Sequence, residues 1–307
     1  MGGYWESGMS LELGGRADKR EDDGWMEEKS AQLVINNDSN VFNDTLVHGI
    51  TIETLQDVTI YYIRSISDDL KKLIRDYLSS ICHGKKKADK HLQAYSYKKT
   101  VTEFIKRFRN SDDENRKKGM IGELLFHLIM AIFKNYFKPA SILFNLEENS
   151  FKKGFDACFF KEKELWIAEV KSGGCNNPNS PDKAIINLIN RAKIDLNKRL
   201  NSKETHLWLN AINHAESAMK DNDDDKDAVL QILDQCHENE PTSADKNVIL
   251  CSVLLHRMST AFSKQSFSEL HQKIKDSEIF NQSIIVAIQN SEVEELQSFL
   301  ESESKDE

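Results

Sequence analysis

An α/β fold, a mixed sheet with helices on both faces, is predicted by three observations. Helical periodicity and short strand-like runs succeed one another from about residue 100 in the order helix, three strands, helix, strand, with one more strand and helix behind. The run NVILCSVLLH is apolar at almost every position, as a strand covered on both faces requires. The segment from Lys117 to Phe137 is apolar nearly all round after Glu123, which suits a helix packed deep against a sheet.

Each element follows from its pattern. In ISDDLKKLIRDYLSSI, residues 66–81, Ile66, Leu70, Leu73, Ile74, Tyr77, Leu78 and Ile81 recur at helical spacing, and Gly84 ends the helix. A second helix spans about 100–109, with Val101, Phe104, Ile105 and Phe108 on one face, and the third is the apolar one already described. Three strands are then expected, in SILFNLE, FDACFFK and LWIAEVK. NNPNSPDK is turn-rich, and Asp182 is placed to cap a helix running to about Leu200. Helical stretches at about 205–219 and 227–237 flank the acidic insertion DNDDDKD, residues 221–227. After the buried strand come a helix near 267–275, the strand QSIIVAIQ and the closing helix SEVEELQSFLES. Three regions result: a poorly structured head over 1–40, an N-terminal region over 41–98 with at least one amphipathic helix, and an α/β domain over 99–307.

Composition narrows the function. With 39% hydrophobic and 30% charged residues, the 307-residue chain has a globular composition, and no apolar run approaches the roughly 20 residues of a membrane span. The head has no basic start followed by an apolar core, so no secretory signal is expected. Five cysteines without a CxxC pair fit reduced thiols in a cytoplasm. Cys82-His83 and Cys236-His237 lack the internal ligand spacing of zinc sites. A net charge of −9 argues against coating nucleic acid by bulk attraction, yet residues 84–118 hold twelve Lys/Arg against five Asp/Glu. That stretch is either solvated surface or a phosphate-facing patch.

The chemistry concentrates in GFDACFFKEKELWIAEVK, residues 154–171. A hairpin centred between Glu162 and Lys163 pairs residues whose numbers sum to 325, which sets Asp156 opposite Glu169 on one face. Two carboxylates so close repel, and their apolar neighbours desolvate them; a divalent cation removes both penalties. Strand alternation places Lys171 on the same face as Glu169. Phosphodiester cleavage uses such a set: hard oxygen ligands for Mg2+ or Mn2+, and a point charge to orient water and stabilise the transition state.

Asp, twelve residues, then Glu-x-Lys resembles the motif of the PD-(D/E)XK nuclease superfamily. Acidic-x-Lys alone is cheap: it recurs at Glu27/Lys29, Asp69/Lys71, Asp224/Lys226 and Glu303/Lys305, none at the end of an apolar strand paired with another acid. GMIGELLFHLI, KKGFDACFF and LWIAEVKSG together resemble the HamA family, nuclease subunits of Hachiman antiviral defence systems. The resemblance covers about residues 100–290 and implies a restriction-endonuclease-like core with C-terminal additions, acting on DNA with a superfamily 2 helicase, HamB. It also implies that Glu123 joins Asp156 and Glu169 as a metal ligand and that Lys171 completes the site. The plain alternative for Glu123 is a first-turn acid favoured by the helix dipole.

Lys152, Lys153, Arg191 and Lys193, together with Lys198 and Arg199, suit DNA phosphates or simple solvation. His127, one turn after Glu123, suits the site or the core, and Trp166 suits the core. No Walker loop, G-x-S-x-G or GxGxxG occurs, so any ATP-driven motor belongs to another chain. Two functions remain: a Mg2+-dependent DNA endonuclease subunit restrained by a helicase, or a catalytically silent binding subunit on the same fold.

Overall fold

Thr51 and Glu53 alternate with Ile50 and Ile52, and β1 (Ile50–Leu55) turns back into β2 (Val58–Ile63) as an antiparallel hairpin absent from the expected elements. β2 is buried at all six positions, so it belongs inside a sheet rather than at its edge. The computed structural model describes residues 47–144, 154–175, 181–202, 204, 206–221, 223–239, 241–257 and 262–305. The expected head, Lys152, Lys153 and most of the turn before Asp182 lie outside the described residues.

In α1 (Asp68–His83), the Ser67 hydroxyl accepts a hydrogen bond from the Leu70 amide, and the helix ends at Gly84 with φ 87°. A single turn, α2 (Lys85–Ala88), precedes α3 (Tyr97–Arg109). α4 (Glu114–Phe133) starts at an Asp113 cap and stops four residues earlier than its apolar pattern suggested. The expected strand SILFNLE does not form over its described part. β3 is only Lys138–Pro139, and residues 141–144 carry no strand. The Leu143 and Phe144 amides donate instead to the carbonyls of Ile81 and Cys82, capping the last turn of α1, and the Ser141 hydroxyl takes the Cys158 amide.

β4 (Ala157–Lys161) and β5 (Glu164–Gly173) pair Ala157 with Ala168 and Phe160 with Leu165, the register expected. Their two-residue turn, Glu162 and Lys163, holds both residues at positive φ, 52° and 66°. α5 (Pro181–Leu200) takes Asp182 into its first turn, and that carboxylate accepts the Ser263 amide rather than capping its own helix. α6 (His206–Ala218) and α7 (Lys226–Asn239) lead to β6 (Asn247–Leu255), buried at all nine positions. α8 (Lys264–Asp276), β7 (Gln282–Asn290) and α9 (Val293–Lys305) complete the chain.

The sheet has seven strands in the order β1-β2-β7-β6-β5-β4-β3. β2, β7, β6 and β5 run parallel, and the outer pairings are antiparallel. One apolar core joins the sheet to α1, α3, α4 and α9; the other joins it to α5, α6, α7 and α8. Residues 41–98, expected as a separate N-terminal region, supply β1, β2 and α1 to this same sheet and core.

Candidate functional site

Carbonyl-rich strand ends leave room for charge where β5 outruns β4. β4 begins at Ala157, and Asp156 stands just before it, where its Oδ2 accepts the Val170 amide at 2.8 Å. That hydrogen bond extends the hairpin by one step and sets the carboxylate beside Glu169. Glu169 is completely buried, 0% exposed, on the face that carries Ile167. Lys171 follows on the same face, and its Nζ donates to Glu169 Oε1 at 2.5 Å. Asp156, Glu169 and Lys171 are therefore brought together as expected.

Two partners come from α5. Arg199 Nη2 donates to Glu169 Oε1 at 3.2 Å, while its Nη1 donates to the Gly154 carbonyl at 3.2 Å and lies 2.9 Å from Glu169 Oε2 and 3.8 Å from Asp156 Oδ1. Glu169 Oε2 is in ion-pair range of that nitrogen yet makes no hydrogen bond. Asp195, one turn before Arg199, lies 2.9 Å from Lys171 Nζ. Asp195 is the residue sequence reasoning missed, and Arg199 entered it only as a phosphate contact. Their spacing of four on the helix directly after the Glu-x-Lys strand was the available signal.

Burial first, and then the charge of Asp156, push the Glu169 carboxyl up to about 7. Arg199 and Lys171 pull against that shift without cancelling it. Lys171 is held above its usual range: burial opposes its charge, but Glu169 and Asp195 more than compensate. The acid pair is thus short of positive charge even with two cations beside it.

The remaining expected residues come from other elements or other positions. Glu123 is half-buried on α4, the helix on the other face of the sheet. Its neighbour Gly122 packs so closely that a Cβ there would stand 1.7 Å from Ser172 Oγ, one residue beyond Lys171. Among the described residues, no three His, Cys, Asp or Glu side chains converge as a metal-binding group. His127 is buried between Phe126 and Phe159, its ring hydrogen-bonded to the Asp156 backbone and its pKa lowered to about 4 by burial. It buttresses the segment that carries Asp156. Trp166 is buried in the core. Arg191 is exposed and Lys193 half-buried on α5.

A hard divalent cation fits the acid pair. Its donors are carboxylate oxygens, and Glu169 Oε2 is a buried acceptor without a hydrogen bond. Asp156 and Glu169 would hold the ion, and solvent or a phosphate oxygen would complete its shell.

The family model described as HamA matches residues 40–302. A search of curated proteins gives no match.

Proposed function

The chain belongs to the HamA family, which implies a role in anti-phage defence, and on that premise we propose that it is a Mg2+- or Mn2+-dependent DNA endonuclease with a PD-(D/E)XK active site. The observation that carries the reading is the placement of Asp156 beside Glu169 at the end of a fully buried strand face, with Lys171 Nζ 2.5 Å from Glu169.

Asp156 and Glu169 would hold the cation, and Glu123, which lies on α4 across the sheet, is proposed as its third carboxylate because the family resemblance implies it. A divalent ion held there would supply an acidified water and offset charge on the phosphate. Lys171, braced by Asp195, keeps a fixed positive charge next to the attacked phosphorus and orients the water. Arg199 offers a planar fork of donors that suits phosphate oxygens as well as carboxylates. In this reading a superfamily 2 helicase of the HamB type restrains the nuclease, and Arg191, Lys193 and the lysines at 152 and 153 contact the DNA backbone.

A second reading, a silent binding subunit, draws on Arg199, which already pairs with both acids. Plasmid cleavage with Mg2+, with and without the helicase and ATP, separates the two. Glu169→Ala and Lys171→Ala should each lower cleavage by about 10²-fold or more and abolish protection from phage. Variants that protect cells as well as the native chain would sink the nuclease reading.

A further inference from the structure

At the end of the sheet opposite the acids lies a cleft of about 550 Å3, within the roughly 300–1,000 Å3 range of small-molecule sites. It opens beneath the first residues of β7 and β2, the last residue of β4 and Trp166 of β5. Trp166 precedes Glu169 by three residues, about 10 Å along a strand, so the cleft is separate from the acid pair.

One wall is cationic. Lys134, the residue after α4, and Lys161, at the turn of the β4-β5 hairpin, both lie within 6 Å of the Tyr136 ring centre, at 5.9 and 5.5 Å. Lys161 Nζ also stands 5.4 Å from the Phe137 ring and 5.9 Å from the Trp166 ring, which meet edge-on. Lys134 touches no carboxylate among the described residues; its hydrogen-bond partner is the Tyr136 hydroxyl at 3.3 Å. Among the described residues, the carboxylate paired with Lys161 is that of the exposed Glu162 at 3.7 Å. Burial, and then the charge of Lys161, lower the Lys134 pKa to about 8. Trp166 is 4% exposed, and its Nε1 makes no hydrogen bond. Two lysines thus share an aromatic floor, and for Lys134 burial disfavours the charge that an anion beside it would restore.

The opposite wall has another chemistry. It includes the amides of Gln56, Asn281 and Gln282, of which Asn281 Nδ2 donates to Asn247 Oδ1 at 2.7 Å, and the carboxylates of Glu278 and Asp57, the latter paired with Lys275 at 3.7 Å. Amides carry both donors and acceptors, as recognition of a base edge or sugar hydroxyl requires. A bare inorganic anion would leave that wall and most of the volume unused.

We propose that this cleft is a binding site for a nucleoside monophosphate, with its phosphate between Lys134 and Lys161 and its nucleoside against the amide wall.

Calorimetric titration of the full chain in EDTA with the common nucleoside 5′-monophosphates, inorganic phosphate and adenosine tests it. EDTA removes cation-mediated phosphate binding at the acids, so the result does not depend on the nuclease reading. At least one monophosphate should bind once per chain, about tenfold or more tighter than inorganic phosphate or adenosine. Lys134→Met and Lys161→Met should each weaken that binding by about tenfold or more. On the native chain, the same nucleotide should slow acetylation of Lys134 and Lys161 but not of Lys193, an outcome independent of how the variants fold. No saturable binding below about 1 mM, affinity unchanged in both variants, or unchanged acetylation would each overturn the proposal.

Discussion

Glu169 shows how a single buried carboxylate reports the purpose of its surroundings. Its pKa rises from 4.5 to about 7 on folding, so the native state holds a proton that the unfolded chain has lost. Stability from this group is complete below about pH 4.5 and is lost as pH rises through about 7. The loss is on the order of 3 kcal/mol. Glu169→Gln should therefore flatten the dependence of the thermal midpoint on pH between 5 and 7, in EDTA, and raise it at pH 8. A native midpoint that climbs from pH 5 to 8 would contradict the assignment. Much of this cluster was legible because a strand alternates strictly: one turn position fixes Asp156 against Glu169, and Lys171 follows by parity. Asp195 and Arg199 were less so, because which stripe of α5 meets β5 depends on how the helix rolls over the sheet, not on spacing within it. Where Glu123 stands is a similar case, since it depends on how α4 sits against β5.

At the level of elements, that seating is set by a glycine. Gly122 lies inside α4, where alanine would ordinarily favour a helix by about 1 kcal/mol. Here an added Cβ would stand 1.7 Å from Ser172 Oγ and 2.8 Å from Ser172 Cβ. The hydroxyl can rotate away, but the second contact forces α4 off β5. Gly122→Ala is expected to destabilise by roughly 1–3 kcal/mol, with Ser172→Gly relieving part of it through a coupling of about 1 kcal/mol in a double-mutant cycle. A Gly122→Ala chain as stable as the native would refute the close approach. The charged segments form a second such pair. Asp221 pairs with Lys86 at 2.6 Å, Asp223 lies 3.5 Å from Lys138, and Asp225 also binds Lys138. The acidic insertion thus covers Lys86, from the basic stretch that composition left free for phosphate, and Lys138 beyond it. Replacing Asp221, Asp223 and Asp225 with asparagine should tighten duplex DNA binding and steepen its log-log salt dependence by about 1–2. An unchanged slope would mean that Lys86 and Lys138 face no DNA. Elements that bury one clean stripe, such as α1 and α3, were legible. β2 was not, because a strand buried at all six positions shows no alternation. SILFNLE misled for the opposite reason: over its described part Ile142 and Phe144 are buried while the Leu143 and Phe144 amides cap α1.

Across the whole molecule, the ordering of strands decides what can fold alone. β2, from the first third of the chain, lies parallel to β7, from the last, with Val58 opposite Ile285 and Ile63 opposite Asn290. No local pattern announces a pairing more than 200 residues apart, so the boundary expected near residue 98 followed the order of local elements and the reach of the family motifs rather than contacts. The sheet places β7 between β2 and β6, and removal of residues 1–98 would convert this buried strand into a bare edge. It would also strip α1 from the core that α4 shares, exposing Leu124, Leu125 and Leu128 beside the missing Leu70, Ile74 and Leu78. Loss of so much apolar burial exceeds the usual margin of about 5–15 kcal/mol that holds a domain folded. The fragment 99–307 should therefore lack native near-ultraviolet circular dichroism and a cooperative thermal transition, whereas the body over 47–305 within the full chain unfolds in one step. If the fragment gives a sharp transition and cleaves DNA with Mg2+, the hairpin and α1 are dispensable additions, and the nuclease core begins near residue 99.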